Sequence, residues 1–344
     1  MREAESSQSI QNRKQEHLDT CLNPGVRHDS NGLDCIRLPY DALFEVSDEQ
    51  LDCTSRMGNV VLKFPLMFGA MTGGVPAATA FNTGLRKLAS DYGLGMCLGS
   101  MRACLRDPDL ISTYGAGHVD GLLANIGASE VVSGSYSSDV IARCCDRLGC
   151  TGLMIHLNGL QEFVQSEGNP SFFVSFDVLN EFIQRFPLPV WIKEVGSGLG
   201  GPCLRRISEL PVAGIETACR GGTSWVLIEA MRRRKPISER HVNALDAIGY
   251  SLAESIPVAR QVMKNRTVIG SGGIRDALDV IKCLSLGADL CAVAQPWYDI
   301  YHRGGLDALE AAVDEWISVG RLIWRSTGAS NLDKLRLSSR NRPL

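Results

Sequence analysis

Eight short apolar runs, separated mostly by segments with helical spacing, constrain the fold of this chain more than any other feature. Such an alternation of strand-like and helix-like segments predicts an α/β protein with a parallel sheet. Eight parallel strands close a (β/α)8 TIM barrel, and 344 residues lie within the range of such barrels with insertions. We therefore predict a barrel over residues 61–325. Its strands are expected within residues 62–71, 94–98, 121–124, 152–155, 189–192, 213–217, 268–270 and 288–294.

The segments outside this barrel lack its regular pattern. Residues 1–12 are polar without periodicity and are expected to form a disordered tail, followed by an irregular lead-in over residues 13–60. Residues 225–264 are long for one connection, so we expect an insertion of two helices there. Residues 326–344 are expected to form a C-terminal tail. An open, doubly wound sheet is the alternative, although no Gly-x-Gly-x-x-Gly motif follows an early strand.

Composition excludes several classes of function. The formal net charge of −3 and the pI of about 6.1 argue against a protein that binds nucleic acid or a membrane surface through bulk charge. The twelve cysteines are scattered without a convincing Cys-x-x-Cys pair, which favours buried thiols and a reduced, cytoplasmic location. The sequence has no apolar signal core and no stretch apolar enough to span a bilayer.

Polar residues collect where the predicted strands end. In a (β/α)8 barrel these positions share the carboxyl-terminal face, which is the site of catalysis in such enzymes. A single strand-end Asn or Thr usually caps the next helix, but a full set at consecutive strand ends indicates a functional site. The set comprises Thr72, Ser100, Arg102, Asn125, His156, Asn158, Lys193, Thr223 and Arg275.

A glycine-rich turn at residues 270–275 follows the strand that begins at Val268 and precedes a helix predicted from near Asp276. Bare amides at a helix N-terminus bind phosphate, and the next strand suggests the phosphate site that barrels build after their last two strands. With an anion nearby, Lys193 is better explained as a cation beside an anionic ring or a diphosphate than as a salt-bridge partner of Glu194. Glu162 becomes a candidate magnesium ligand for the same reason.

Nine short motifs follow one another in an order that is highly specific. They are Arg13-Lys14-x-Glu16-His17, Met71-Thr72-Gly73-Gly74, Gly99-Ser100-x-Arg102-Ala103, Asn125-Ile126-Gly127-Ala128, His156-Leu157-Asn158-x-x-Gln161-Glu162, Glu167-Gly168, Lys193-Glu194-Val195-Gly196, Arg220-Gly221-Gly222-Thr223 and Ser271-Gly272-Gly273-Ile274-Arg275. Through these motifs the sequence resembles the type 2, FMN-dependent isopentenyl-diphosphate isomerases from Arg13 to about Gly320, as a divergent member.

The resemblance implies an enzyme that interconverts isopentenyl and dimethylallyl diphosphate, with reduced FMN as acid and base and Mg²⁺ on the diphosphate. It implies NADPH as the reductant and a homotetramer or larger assembly. The implied catalytic residues are Gln161, His156 and Lys193, and Glu162 is the implied metal ligand. The implied substrate-binding residues are Arg13, Lys14, His17, Ser100, Arg102, His156, Asn158 and Gln161. The implied FMN-binding residues are Met71, Thr72, Gly73, Ser100, Asn125, Lys193, Thr223, Gly272, Gly273, Ile274, Arg275, Ala294 and Gln295.

Three departures from the family pattern are expected to reshape the wall of the site. Met101 replaces a usual Gln, Ala218-Cys219 replaces Ser-Gly, and residues 248–252 replace a Trp-Gly-Ile-Pro-Thr stretch. They leave open a prenyl-diphosphate cyclase that protonates a longer isoprenoid, and, less favoured, a non-catalytic flavin-binding protein. A hydroxy-acid oxidase would share the fold and cofactor, but we find no residue arrangement suited to hydride removal.

Overall fold

The computed structural model of the protein describes residues 7–166, 168, 173–233 and 235–340, and Glu167 of the sixth motif lies outside them. Eight parallel strands form a closed barrel in chain order, with the last strand paired to the first, which confirms the predicted fold class. Each strand lies within or close to a predicted run. The barrel strands are β3 (Leu66–Phe68), β4 (Gly95–Cys97), β5 (Leu122–Gly127), β6 (Gly152–His156), β7 (Val190–Lys193), β8 (Gly214–Glu216), β9 (Thr267–Ser271) and β10 (Leu290–Val293).

A short antiparallel hairpin, β1 (Ser55–Met57) with β2 (Val60–Leu62), covers the amino end of the barrel. Met57 and Leu62 pack with the apolar side chains inside the barrel. At the hairpin turn, the Gly58 amide donates to Thr267 Oγ1 in the first residue of β9, at 3.3 Å. Because one end of the barrel is closed in this way, the carboxyl end is the one that can hold a site.

Most of the helices surround the barrel and bury one face against it or against a neighbouring helix. In α2, for example, Phe81, Leu85, Leu88 and Ala89 form the buried face that helical spacing predicts. The helices are α1 (Ser7–Cys21), α2 (Ala78–Tyr92), α3 (Arg102–Arg106), α4 (Ala128–Val132), α5 (Ser138–Leu148), α6 (Gly159–Val164), α7 (Phe176–Arg185), α8 (Gly201–Glu209), α9 (Trp225–Arg232), α10 (Glu239–Asp246), α11 (Leu252–Met263), α12 (Ala277–Leu286), α13 (Gln295–Arg325) and α14 (Leu332–Arg340).

Three boundaries differ from the sequence prediction. Residues 7–12 belong to α1, which buries Ile10, Leu18 and Cys21, whereas the predicted tail at residues 1–6 lies outside the described residues. The insertion after β8 holds three helices, α9 to α11, rather than two. Residues 332–340 form α14 instead of continuing a tail, and α14 buries Leu335. No helix in the described part of the chain is both long and apolar enough to cross a membrane.

Candidate active site

A large cavity of about 570 Å³ opens at the carboxyl end of the barrel strands. Its volume lies in the range of small-molecule and cofactor sites. Every residue with a predicted catalytic, substrate, cofactor or metal role lines it. They are Arg13, Lys14, His17, Met71, Thr72, Gly73, Ser100, Arg102, Asn125, His156, Asn158, Gln161, Glu162, Lys193, Thr223, Gly272, Gly273, Ile274, Arg275, Ala294 and Gln295. The structure thus brings the candidate residues together around one space.

Five polar side chains from consecutive strands, here called the cavity floor, close the bottom of this space: Asn125, His156, Lys193, Glu216 and Ser271. They face the barrel interior because side chains alternate along a strand. The residues two positions before four of them belong to the apolar interior, namely Leu123, Met154, Trp191 and Ile269. A polar layer therefore lies directly on an apolar one.

His156 on the cavity floor is held by its neighbour. Its Nδ1 is hydrogen-bonded to Asn125 Oδ1 at 2.8 Å. Burial lowers the pKa of His156 to about 4, against the opposing effect of Glu130 and with help from the positive charges of Lys193 and Arg102. The imidazole is therefore neutral at pH 7. Because the amide oxygen accepts the bond from Nδ1, the other ring nitrogen is free to act as an acceptor.

Lys14 of α1 is half-buried against the rim of the barrel. Its ammonium donates to the carbonyl oxygens of Gly73 and Ser100, at 2.5 and 2.8 Å, and lies 3.5 Å from the Tyr114 hydroxyl. Desolvation lowers its pKa to about 8. Lys14 thus joins α1 to the ends of β3 and β4, so much of its hydrogen-bonding capacity is used within the protein.

Arg102 forms an ion pair inside the cavity that the sequence did not predict. Its Nη1 lies 3.0 Å from Glu130 Oε1, and Glu130 also accepts from Ser129. Although burial opposes ionisation, Arg102 and His156 lower the pKa of Glu130. The carboxylate is therefore ionised and fixes the guanidinium that lines the cavity.

A second buried carboxylate, Glu229 of α9, joins α1 to α6. Its side chain is fully buried and accepts hydrogen bonds from His17 at 2.9 Å, Gln161 Nε2 at 2.8 Å and Arg232 at 2.6 Å. Burial favours the neutral acid, but His17 and Gln161 bring the pKa of Glu229 below its ordinary value. The contact with Gln161 Nε2 orients that amide, because only its nitrogen can donate to a carboxylate.

Glu162 lies at the start of α6, one residue after Gln161. Its Oε1 accepts from Asn158 Nδ2 at 3.1 Å, and Asn158 Oδ1 is buried with no hydrogen-bond partner within the described ranges. Those ranges contain no cluster of three or more His, Cys, Asp or Glu that could hold a metal ion by itself. A magnesium ion here would complete its oxygen ligands with substrate and water, as is common for this ion.

The glycine-rich turn is required by backbone packing as well as by any ligand. Gly272 and Gly273 have φ values of +110° and +85°, and a Cβ on Gly272 would lie 2.1 Å from the Cys219 carbonyl oxygen. The turn after β9 therefore packs directly on the loop after β8. The Arg275 guanidinium donates to the His28 carbonyl oxygen at 2.8 Å, which ties residues from the lead-in to this turn.

The three departures from the family pattern lie in different surroundings. Met101 is fully buried in the main hydrophobic core and does not line the cavity, so the expected apolar pocket wall there is wrong. Ile248 is 53% exposed and also lies outside the lining. Ala218 and Cys219 do line the cavity, and Ala218 has a φ of +41°, unusual for a residue with a Cβ.

The fold and cavity define a class, the (β/α)8 barrels with a cofactor-sized cavity at the carboxyl end of the strands. Residues 139–339 match the family model for FMN-dependent dehydrogenases. Mandelate oxidase has the same fold, with a TM-score of 0.68 over 96% of this chain and 97% of that chain at 14% identity. Flavocytochrome b2 gives a TM-score of 0.66 over 99% and 88% at 16% identity. At these identities the likeness shows the fold alone.

Comparison with sequence relatives identifies the family within this class. The isopentenyl-diphosphate delta-isomerase of a Synechococcus species is 35% identical over 315 residues, covering 90% of this chain and 89% of that protein. The proteins of the same name from Stutzerimonas stutzeri and a Nostoc species are 34% and 32% identical, each covering at least 96% of both chains. The chain belongs to the isopentenyl-diphosphate delta-isomerase family.

Proposed function

We propose that this protein is an FMN- and Mg²⁺-dependent isomerase that interconverts isopentenyl diphosphate and dimethylallyl diphosphate. The observation that carries the proposal is a cavity with two different anion-binding regions. One is the backbone turn around Gly272 and Gly273, and the other is the set of cationic side chains from α1 and α3. A flavin phosphate and a substrate diphosphate are two anions that need such separate regions.

The cavity lining fits FMN. The turn at residues 272–274 and the N-terminus of α13, at Ala294 and Gln295, offer backbone amides to the phosphate, and Arg275 lines the same region. Thr223 Oγ1 is buried with no partner among the described residues, so a ligand atom can satisfy it. Met71, Thr72, Gly73, Ser100, Asn125 and Lys193 would hold the ring. Bound in its reduced form, FMN would supply the acid–base chemistry of the reaction.

The residues from α1 and α3 are assigned to the diphosphate. Arg13, His17 and Arg102 present donors to it, together with Ser100, Asn158 and Gln161, and His156 lines the same region. Lys14 acts by holding the Ser100 and Gly73 carbonyls in place, and it adds positive charge. Glu162 would hold a magnesium ion, which would offset negative charge on the diphosphate.

The proton-handling residues face the same space. Neutral His156 accepts a hydrogen bond at Nε2 without carrying charge, so it orients the substrate at low electrostatic cost. Gln161, held by Glu229, presents its amide oxygen as a hydrogen-bond acceptor. An amide is a poor proton carrier, so Gln161 orients the group that transfers the proton. Lys193 supplies a fixed positive charge on the cavity floor.

Product analysis tests the proposal. Protein loaded with chemically reduced FMN and Mg²⁺ should convert isopentenyl diphosphate to dimethylallyl diphosphate, and air-oxidised protein or EDTA should stop the reaction. Failure to turn over this substrate, with a ring formed from a ten-carbon or longer prenyl diphosphate, would instead establish the cyclase. FMN binding without turnover of any prenyl diphosphate would favour a non-catalytic flavoprotein.

Two further expectations are part of the proposal. NADPH should reduce the bound flavin, which anaerobic absorbance at the flavin band would show. The protein should form a homotetramer or a larger assembly, which light scattering coupled to size exclusion would measure. A monomer that turns over at the full rate would contradict the second expectation.

A further inference from the structure

Glu216 on the cavity floor has no task in the proposed function. Its side chain is 5% exposed, and its Oε1 accepts a hydrogen bond from Ser271 Oγ at 2.9 Å. Its Oε2 is buried and has no hydrogen-bond partner in the described part of the chain. A buried carboxylate is costly unless a positive charge or further donors compensate it. A positive charge or a further hydrogen-bond donor is therefore expected close to this carboxylate.

Lys193 is that partner. Lys193 and Glu216 occupy paired register positions on β7 and β8, and Nζ lies 3.9 Å from Glu216 Oε1. The same ammonium donates to the Glu194 carbonyl oxygen at 2.6 Å. The ammonium is thus held between a carbonyl and a carboxylate, and both paired side chains are less than one-tenth exposed. Glu216 fixes the position of Lys193 and offsets its charge.

We propose that Glu216 is the positioning residue for Lys193 and, as its counter-charge, sets how strongly the cavity favours negative charge on the bound flavin. This inference rests on the proposed binding of FMN. The flavin ring gains electron density on reduction, so an uncompensated ammonium favours the reduced form, and a paired one favours it less. Glu216 therefore keeps the potential of the bound flavin low.

The test is the two-electron potential of the bound flavin, measured by anaerobic titration with reference dyes. Glu216→Gln preserves the shape and the bond from Ser271 but removes the charge. This variant should bind reduced FMN more tightly relative to oxidised FMN by a factor of at least ten. That factor corresponds to a rise of about 30 mV in the potential of a two-electron couple. Glu216→Asp retains a carboxylate and should stay close to the wild-type potential.

A double-mutant cycle with Lys193→Gln shows whether Glu216 acts through the lysine. Lys193→Gln should lower the potential, and adding Glu216→Gln to it should produce no further shift. A structural role alone predicts a lower melting temperature with an unchanged potential, so that result for Glu216→Gln would overturn the inference. An undiminished shift in the Lys193→Gln background would overturn it as well. Wild-type protein that binds no FMN would instead refute the proposed function itself.

Discussion

Replacing Glu229 by Gln tests whether the carboxylate between α1, α6 and α9 stabilises the fold through its charge. Removing one member of a buried ion pair costs about 3–5 kcal/mol, because the other charge is left uncompensated. Here the amide keeps the size of the side chain, and Arg232 keeps an ion pair with Glu16 at 2.8 Å. We therefore expect Glu229→Gln to lower the free energy of unfolding by about 2–3 kcal/mol.

The assay is urea unfolding at pH 7, with Glu16→Gln as the matched control. Glu16 contacts the same arginine, but its side chain is 59% exposed. An exposed ion pair contributes at most about 1 kcal/mol, so the control should lose much less stability. Equal losses for the two variants would refute the reasoning. A changed slope of unfolding free energy against urea would show instead that the two-state analysis fails.

The difference in unfolding free energy between wild type and Glu229→Gln has a defined pH dependence. The pKa of Glu229 is lower in the folded protein than its ordinary value of 4.5. Its stabilising contribution is therefore fully present above that ordinary value and is lost as the pH falls through the folded pKa. The difference between wild type and Glu229→Gln should stay constant from pH 7 to about pH 4.5 and shrink below it, and a difference that grows on acidification would contradict the assignment of charge.

Three further predictions concern other parts of the site. Burial lowers the pKa of His156 from 6.5 to about 4, so the free energy of unfolding should decrease as the pH drops through this window. His156→Gln should remove up to about 3 kcal/mol of that decrease, measured by urea titration of the apoprotein. Gly272→Ala should weaken FMN binding at least about tenfold by fluorescence titration, whereas Gly134→Ala, at φ +65° with nothing within 4 Å of its Cβ, should leave binding unchanged. Cys35 and Cys203 are the exposed thiols, so Ellman's reagent should label two of twelve cysteines rapidly in the native protein, and more would indicate an opened core.

Much of the fold was predictable because it depends on local pattern. Each apolar run ends in a polar residue or glycine, and the period of the pattern changes from strand to helix after each run. The structure places barrel strands in these runs, from β3 to β10. The residues at strand ends were likewise predictable as a group, because closure of a barrel brings every carboxyl end to one face.

The pairing of charges was not predictable. Glu130 meets Arg102 and Glu229 meets Gln161 across 28 and 68 residues, respectively. Glu216 meets Lys193 on the neighbouring strand, as its register partner. No residue spacing in the sequence indicates such contacts. The clearest available signal was Glu229 itself, an acidic residue in the apolar stretch of α9.

The direction of the Met101 side chain was also not predictable from the sequence pattern. The residue lies inside a motif whose neighbours line the cavity, and its own amide donates to the Asn125 carbonyl oxygen at 2.7 Å. That bond belongs to the turn into α3, where the side chain points into the core. Proximity in sequence to site residues is therefore weak evidence of facing the site.

The docking of α1 has a consequence for the order in which the protein assembles. Its contacts reach Gly73, 59 residues further along the chain, and Arg232, 216 residues from Glu16. Because α1 is synthesised before α9, its full set of partners exists only after α9 has been made, and closing so large a loop is slow. The cavity is therefore complete only once α1 has docked onto α9, which lies far later in the chain.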